Sequence, residues 1–352
     1  MDGDRGGDGG RTGASGVRQR IAGAVAAGAL VATVVGLNLY RLPVVALSPG
    51  PAEDVLSRTR VEGGAHVYDS TGRLYLTSVG IDDQVRFFEA ILDLANRDVQ
   101  LRPRSAVYPE GESTQRVNQQ NIADMDESKQ LASVVALRLA GYTIDPAGVE
   151  VVDVRQGAPA DGKLRPGDRL QRVDGRRVTG IKQLQALIQS HRPGDVLALG
   201  VRRGDAELPV NVAVGLDEGR PRIGVALREL YGRLPIKVTI DTENIGGPSA
   251  GMMFALSIYD KLTPGDLTRG RRIAGTGQIT EDGSVAPIGG IAEKLVGARR
   301  QGATVFLLPR GNCDEVSAHP PPGLRLVPVS NVREALQFLQ SDPGDGSAAP
   351  HC

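Results

Sequence analysis

The sequence predicts an α+β fold, in which short strands and helices follow one another without a regular strand–helix alternation. Between residues 148 and 214, apolar residues alternate in short runs that are broken by glycine and proline. Between residues 216 and 340, longer strand-like runs are mixed with segments whose apolar residues recur at helical spacing. The chain has 352 residues, of which 40% are apolar, so it can build two or three domains, each with its own core.

The composition argues against several classes of function. Lys plus Arg and Asp plus Glu are 41 each, and aromatic residues are only 3%, so neither a basic surface nor a stacking platform for nucleic acid is expected. The four histidines lack the spacing of paired metal ligands, and neither a metal nor a cofactor is expected. The two cysteines, Cys313 and Cys352, are too few for a cysteine-rich zinc site, and whether they pair is left open.

A membrane anchor is predicted near the N-terminus. The segment Ile21–Tyr40 runs for 20 residues without a charge, and a helix of that length spans roughly 30 Å. Four arginines precede it and only Arg41 lies close behind, which predicts a cytoplasmic tail at residues 1–20 and a single-pass protein of the cell membrane whose body is extracytoplasmic. The alternative is a signal peptide that is cleaved after Ala46, although the apolar run is longer than usual for one.

Residues 41–124 are predicted to be a mixed α/β segment outside the membrane, and no chemistry is assigned to it. The stretch HVYDSTGRLYLTSV indicates two strands joined by a turn at Ser70–Gly72, and DQVRFFEAILDLA indicates a helix. A second helix is predicted in DESKQLASVVALRLAG, which has apolar residues at 3-4 spacing and ends at a glycine.

Residues 125–215 form the next predicted domain, which contains that second helix, several short strands and the short helix IKQLQALIQS. Its turn-rich stretch APADGKLRPGDRLQRVDG resembles a PDZ domain of the bacterial protease type. The resemblance implies a groove that takes an extended peptide end by strand addition. The carboxylate-binding loop is assigned to LAGY at residues 139–142, and the alternative is a domain that acts only as a spacer.

Residues 216–341 form the last predicted domain. RIGVAL and IKVTI indicate strands, a helix is predicted after Ser249, and a hairpin is predicted in IAGTGQITEDGSVAPIGG. A helix in IAEKLVGARR, a strand in TVFLLP and a closing helix capped by Ser330 follow. The polar end, residues 342–352, predicts a disordered tail.

The glycine-rich stretch IGGPSAG precedes an apolar helix and places Ser249 at the helix start. Three hypotheses fit a serine in this position. It caps the helix, it belongs to a turn that cradles phosphate, or it is a nucleophile beside backbone donors that can bind an oxyanion.

Lys294 lies 45 residues after Ser249, one turn into the helix that follows the Gly289–Gly290 turn. A helix lysine is usually a solvated surface charge, but the neighbours of this one are apolar. Burial would lower its pKa from about 10.4 towards neutrality, as a general base requires. A serine with a lysine base needs no histidine.

Together, GGPSAG and AGTGQITEDGSVAPIGGIAEKLVGARRQGA resemble the proteolytic domain of Lon, a serine–lysine peptidase. The two motifs occur in the order and with the separation of that family, over about residues 223–340. With the segments that precede this domain, the whole chain is similar to the bacterial membrane-anchored PDZ–Lon proteins. The resemblance also points to an assembly of several copies, although no heptad or repeat in the sequence shows one.

The resemblance implies a role for each matching residue. Ser249 is the nucleophile, Lys294 is the general base, and the hydroxyl of Thr276 supports the lysine; an ordinary strand threonine is the alternative for Thr276. Backbone N–H groups of the turn around Ala250 would bind the oxyanion. Lon enzymes usually carry an acidic residue before the Gly-Pro-Ser-Ala-Gly core, a position assigned to Gly247, so gating by a carboxylate is in doubt.

The sequence therefore predicts a membrane-anchored serine endopeptidase that cleaves exported peptides or proteins, with a PDZ-like domain for recruitment or regulation. The sequence has no match to GxxxxGK[ST], so cleavage is expected to be independent of ATP. The alternative from another class is a non-catalytic PDZ scaffold with an inactive Lon-like domain. A small-molecule kinase that uses the glycine-rich turn for phosphate is a third hypothesis, which an exported location weakens.

Overall fold

The computed structural model describes residues 13–109, 111–243, 245–316, 321–341 and 352. The helices are α1 Gly13–Leu39, α2 Val55–Arg58, α3 Phe87–Ala95, α4 Thr114–Leu139, α5 Ile181–Gln189, α6 Gly251–Leu262, α7 Ile291–Arg300 and α8 Val332–Ser341. The strands are β1 Val44–Asp54, β2 Thr59–Glu62, β3 Arg73–Asp82, β4 Gln100–Pro103, β5 Pro146–Val154, β6 Arg169–Val173, β7 Arg176–Arg177, β8 Val196–Arg203, β9 Ala206–Ala213, β10 Gly215–Asp217, β11 Arg220–Arg222, β12 Val225–Tyr231, β13 Lys237–Ile240, β14 Arg272–Gly275, β15 Gln278–Ile279, β16 Val285–Ala286, β17 Val305–Pro309 and β18 Arg325–Val329. The predicted mixture of strands and helices is confirmed.

The predicted apolar segment Ile21–Tyr40 lies mainly in helix α1, and residues 24–39 of this helix are exposed. In the part of the chain that the structure describes, no helix has the length and apolar character needed to cross a membrane. Most of the predicted cytoplasmic tail, and residues 342–351 of the predicted disordered tail, lie outside the described residues.

The chain folds as two compact units, and the first contains residues 1–60, 67–133 and 239–352. Its centre is a six-stranded sheet with the order β18-β17-β14-β3-β1-β4. Strands β1, β3 and β4 come from residues 41–124, to which the sequence assigned no role, whereas the other three follow the nucleophile motif. Both parts of the chain are therefore needed to build one sheet.

The hairpin predicted in HVYDSTGRLYLTSV does not form. Residues 65–70 are not a strand, and β3 instead pairs antiparallel with β1 and parallel with β14, where Leu76 lies opposite Gly275. Parallel pairing joins segments that are far apart along the chain, so the local pattern of the sequence could not reveal it. Helix α4 likewise begins at Thr114, well before the predicted helix DESKQLASVVALRLAG.

Helices α6 and α7 carry the predicted site residues, and both are held by the core of the first unit. Nearly every side chain of α6 is buried, with Met252 and Phe254 fully enclosed. In α7, Ile291 and Leu295 are one turn apart and pack against Phe306 of β17. The burial of these large apolar side chains fixes the position and rotation of each helix.

The second unit contains residues 61–66 and 134–238. Its antiparallel sheet has the order β12-β5-β6-β8-β9, and β7 pairs with β6. Leu184 and Ile188 of helix α5 pack into the core that this sheet covers. The predicted boundary at residue 216 differs from the structure, because β12 pairs with β5 and the unit continues to residue 238.

Three local predictions meet different outcomes. The hairpin around the ITEDGSV stretch is confirmed by the β15–β16 pair, and the helix in IAEKLVGARR is confirmed by α7. Ser330 is not the cap of α8, since Asn331 Oδ1 accepts the Glu334 N–H at 2.9 Å. Cys313 and Cys352, whose pairing was left open, are joined by a disulfide.

Candidate active site

The turn that carries Ser249 is fixed by helix α4. Gly247 has a φ of 89°, which favours glycine, and its N–H donates to the carbonyl of Asn121 at 2.8 Å. A single 3-10 turn, Pro248–Ala250, then leads into α6, and Ser128 Oγ donates to the Pro248 carbonyl at 3.1 Å. Two residues of one helix thus hold the two backbone positions directly before Ser249.

Lys294 lies one turn into α7, and its Nζ donates to Ser249 Oγ at 3.0 Å. The turn before the helix needs glycine at position 290, where φ is 71° and an added Cβ would lie 2.6 Å from Cγ2 of Val79. This close approach brings α7 against β3. The structure therefore joins the two residues that the sequence predicted to be nucleophile and base.

Thr276 is buried beside both of them. Its hydroxyl donates to the Ser249 carbonyl at 3.0 Å and accepts a hydrogen bond from Lys294 Nζ at 3.2 Å. Since the hydroxyl proton is used by the carbonyl, an oxygen lone pair is left to face the lysine. Thr276 thus contacts the lysine and links it to the backbone of the nucleophile turn, which is the arrangement that a supporting role would need.

We expect Thr276→Val to lower kcat about tenfold, because the lysine loses an acceptor and the Ser249 carbonyl loses a donor. Valine has nearly the shape of threonine, so KM should change little. Thr276→Ser keeps the hydroxyl and should keep most of the activity. Steady-state kinetics on a fluorogenic peptide check this, and an unchanged kcat in the valine variant would contradict the positioning role.

Lys294 is only 4% exposed. Burial lowers the pKa of its ammonium group to about 8, while the charge of Glu293 opposes that shift. A lysine with this pKa is neutral in roughly a tenth of the molecules at pH 7, against well under a thousandth for a solvated lysine. The site therefore meets the requirement for a lysine that can accept a proton near neutral pH.

Glu293 is a second buried charge next to the lysine. It is 3% exposed, it lies in the first turn of α7, and its Oε1 finds no hydrogen-bond partner among the residues that the structure describes. A carboxylate at a helix N-terminus is stabilised by the helix dipole. Sequence reasoning missed this residue, because an acidic residue in a first turn is an ordinary helix signal.

Because the Glu293 charge raises the pKa of Lys294, we expect Glu293→Gln to move the acidic limb of the pH–rate profile to lower pH. The neutral amide keeps the size of the side chain but removes the charge that favours the lysine cation. The check is the apparent pKa of kcat/KM for both proteins, with melting temperatures as the fold control. An unshifted limb together with a lower melting temperature would leave Glu293 a purely structural role.

Two backbone N–H groups near Ser249 already donate to carbonyl groups of the protein. The N–H of Gly247 goes to Asn121, so Gly247 shapes the turn but does not offer its N–H to substrate. The N–H of Met252 goes to the carbonyl of Gly277. The N–H groups of Ser249 and Ala250, in the 3-10 turn itself, are the candidate oxyanion donors.

The assignment of the missing acidic residue to Gly247 needs a correction. The core Gly-Pro-Ser-Ala-Gly begins with Gly247 itself, so the position directly before it is Gly246. An added Cβ at Gly246 would lie 3.0 Å from Cβ of Asn121. A side chain at this position would therefore require Asn121 to shift by a few tenths of an ångström.

A cavity of about 650 Å³ opens at the dyad, and Ser249 and Lys294 both line it. Ten of the other lining residues have apolar side chains: Leu47, Pro51, Leu76, Val79, Ile81, Ala106, Val107, Met125, Ile245 and Ala250. Glu53 and Glu243 also line it, and Arg58 pairs with the first at 2.7 Å and with the second at 3.2 Å. Sequence reasoning missed this contribution of residues 41–125, which carry no recognisable chemical motif.

A serine that is hydrogen-bonded to a buried lysine and lies in an open cavity at a helix start defines a site of the serine–lysine hydrolase class. Comparison with known proteins agrees. The family model of the Lon protease (S16) C-terminal proteolytic domain matches residues 233–341, and that of the PDZ domain matches residues 116–214. The chain carries a Lon-type proteolytic domain preceded by a PDZ domain.

Lon proteases are among the relatives of this chain. Those of Chloroflexus aggregans and Rickettsia bellii are 39% and 37% identical over 97 and 94 residues, which are 27% and 26% of this chain. That of Azospirillum brasilense is 42% identical over 94 residues. The matched region is 12%, 12% and 11% of these proteins, so the chain spans about an eighth of their length.

Two solved structures from Listeria resemble a part of the chain. The PDZ domain of an SdrC-like protein from Listeria monocytogenes is 26% identical, covers 24% of this chain and 93% of its own, and has a TM-score of 0.23. The second domain of another Listeria protein is 28% identical, with 25% and 88% covered and a TM-score of 0.22.

Proposed function

We propose that this protein is a serine endopeptidase that cleaves peptide bonds with a dyad of Ser249 and Lys294. The observation that carries the proposal is the 3.0 Å hydrogen bond between Ser249 Oγ and the Nζ of a buried lysine. The pKa of about 8 gives that lysine a neutral form at neutral pH. The cavity that both residues line gives a peptide access to them.

Acylation follows from this geometry. Neutral Lys294 takes the hydroxyl proton as Ser249 Oγ attacks the carbonyl carbon, and the carbonyl oxygen becomes an oxyanion. The N–H groups of Ser249 and Ala250 stabilise that oxyanion. Lys294, now an ammonium, gives its proton to the leaving amine, so the peptide C–N bond breaks and an acyl ester remains on Ser249.

Deacylation uses the same groups in reverse order. A water molecule that enters the cavity loses a proton to neutral Lys294 and attacks the ester carbonyl. The oxyanion again forms at the backbone donors, and Lys294 then protonates Ser249 Oγ as it leaves. Thr276 holds the lysine during both steps, because its hydroxyl accepts a bond from Nζ throughout.

The PDZ domain is proposed to bind an extended peptide end in a groove between α5 and β12. Strand β12 lies at the edge of its sheet, so its free side can pair with an added strand. A cavity of about 330 Å³ there is lined by Ile188 of α5 and by Val225 and Leu227 of β12. The loop predicted at residues 139–142 has another role, because the N–H groups of Gly141 and Tyr142 donate back to carbonyls of α4.

Membrane attachment and an extracytoplasmic location are part of the proposal. The charge-free run Ile21–Tyr40 and the exposure of the apolar residues 24–39 support an attachment to lipid. The Cys313–Cys352 disulfide supports an oxidising compartment. We propose that substrates are flexible exported peptides or loops and that cleavage proceeds without ATP, so added ATP should not change the rate.

The experiment that tests the activity is labelling of the full chain with a serine-reactive fluorophosphonate, followed by peptide mass mapping. We expect the label on Ser249 in the native protein and its loss in Lys294→Ala. Labelling of Ser249 that persists in Lys294→Ala would contradict the proposed dyad. No labelling of a folded protein would favour the scaffold alternative, in which peptides bind the PDZ groove and are never cleaved.

A further inference from the structure

Helix α3 turns an apolar face to the surface of the first unit. Of its nine residues only Ala90 is buried, whereas Phe88, Ile91, Leu92 and Leu94 are 39%, 48%, 71% and 76% exposed. At 3.6 residues per turn, positions 88, 91 and 92 fall within an arc of about 100° and Leu94 widens it to about 160°, while Glu89 and Asp93 lie outside it. An apolar helical face of this kind is rarely left open to water.

The structure ties the start of α3 to the end of helix α1. Arg41 forms a β-bridge with Arg86, which caps α3, and the Leu42 N–H donates to the Val85 carbonyl at 3.0 Å. Only Tyr40 separates Arg41 from the last residue of α1. The start of α3 therefore lies close to any surface that the exposed apolar residues at the end of α1 contact.

Charged groups of both signs flank α3, and the acidic ones include Asp82, Glu89 and Asp93. Exposed arginines surround the helix at its start, just after its end and on the neighbouring strand β4: Arg41, Arg86, Arg97 and Arg102. Guanidinium groups bind phosphate well. Tyr40, which is exposed, is of a type that is enriched at the boundary between lipid and water, and the exposed Phe88 is of a type found on the apolar face of interfacial helices.

We propose that α3 is a membrane-docking helix, whose face of Phe88, Ile91, Leu92 and Leu94 inserts into the headgroup region of the bilayer to which residues 21–40 attach the chain. The helix lies in the plane of the interface, as amphipathic interfacial helices do. The inference rests on the proposed membrane attachment and is independent of the peptidase chemistry. A lipid surface is favoured over a second copy of the chain, because α3 starts beside the end of the exposed apolar helix α1 and an exposed arginine lies at each end of α3.

The chain has no tryptophan, so a single one can be introduced as a probe. Leu92→Trp in the full chain is reconstituted into vesicles of phosphatidylethanolamine and phosphatidylglycerol, with or without brominated acyl chains. We expect a blue-shifted emission that brominated lipid quenches by about half or more. Leu216→Trp is the matched control, since Leu216 is an equally apolar residue with 63% exposure in the second unit, and its emission should stay that of a solvated tryptophan.

The other outcomes overturn the inference in distinguishable ways. If the full chain fails to float with vesicles, the proposed attachment fails and the docking fails with it, while cleavage assays still decide the peptidase proposal. If the chain floats but iodide quenches Trp at position 92, attachment stands and α3 does not dock. If neither iodide nor brominated lipid quenches Trp at position 92, the apolar face is covered by a second copy of the chain. If brominated lipid quenches the tryptophans at positions 92 and 216 equally, α3 has no special role in docking.

Discussion

Lys294→Met is expected to abolish peptide cleavage, by about a thousandfold or more, while the protein stays folded. Methionine fills nearly the same volume as the lysine stem but cannot accept the proton of Ser249. The stability argument has a definite sign, because the folded protein lowers the pKa of Lys294 from 10.5 to about 8. Below pH 8 the buried ammonium costs the folded state about 3 kcal/mol, so its removal should leave the melting temperature equal or higher.

Variants of Lys237 and Ser249 provide the controls for Lys294→Met. Lys237→Met makes the same substitution at a lysine that is 71% exposed and paired with Glu62, and it should cleave at the native rate. Ser249→Ala should be as inactive as Lys294→Met, and the double variant no worse than either, because the two residues act as one unit. Cleavage of a fluorogenic peptide by Lys294→Met at more than about one per cent of the native rate would contradict the proposed dyad.

The site could be predicted from sequence because its two essential residues lie in short motifs with local meaning. Glycines before Ser249 and Lys294 open helices, and the apolar spacing of IAEKLVGARR fixes which side of α7 is buried. Such signals depend on neighbours within one or two helical turns, and the structure has helices at both predicted positions. Thr276 was placed only through the family resemblance, since one threonine in a strand carries no local signal.

The remainder of the fold depends on contacts that no local pattern contains. Residues 41–124 lack a chemical motif, yet their strand β3 lies between β1 and β14 at the centre of the sheet. The second unit, residues 134–238, is inserted between the two parts of the first, so the segment that matches the Lon family model is only the later part of its domain. A prediction that follows the order of the sequence divides such an interrupted domain into two separate segments.

Helix α4 shows the same limit for the site. Its first half, TQRVNQQNIADM, is polar and has no clear helical period, so the sequence did not predict a helix there. In the structure this half supplies the Asn121 carbonyl that holds Gly247, and Met125 is 2% exposed beside the cavity. Tertiary contacts with the nucleophile turn give the segment its role, and only the folded chain contains them.

The second large effect is a strong dependence of cleavage on pH. Only the neutral form of Lys294 can take the proton of Ser249, so kcat/KM should rise with pH along a limb whose apparent pKa is about 8. Below that value the neutral fraction falls about tenfold per pH unit, which leaves roughly 1% of it at pH 6. Cleavage at pH 6 is therefore expected to be about fiftyfold slower than at pH 8, where half of the lysine is neutral.

The measurement is kcat/KM from about pH 5.5 to about pH 10.5, roughly two and a half units to each side of the expected value, with the folded state checked at each pH. Stability should change in the same direction over a higher window. Between about pH 8 and pH 10.5 the unfolded chain holds the Lys294 proton more tightly than the folded chain does, so folding becomes more favourable as pH rises through that window. Lys294→Met should lose this rise. A rate limb near pH 10 would mean that the lysine is solvated when substrate binds. A limb near pH 6.5 would point to a histidine and contradict the proposed base.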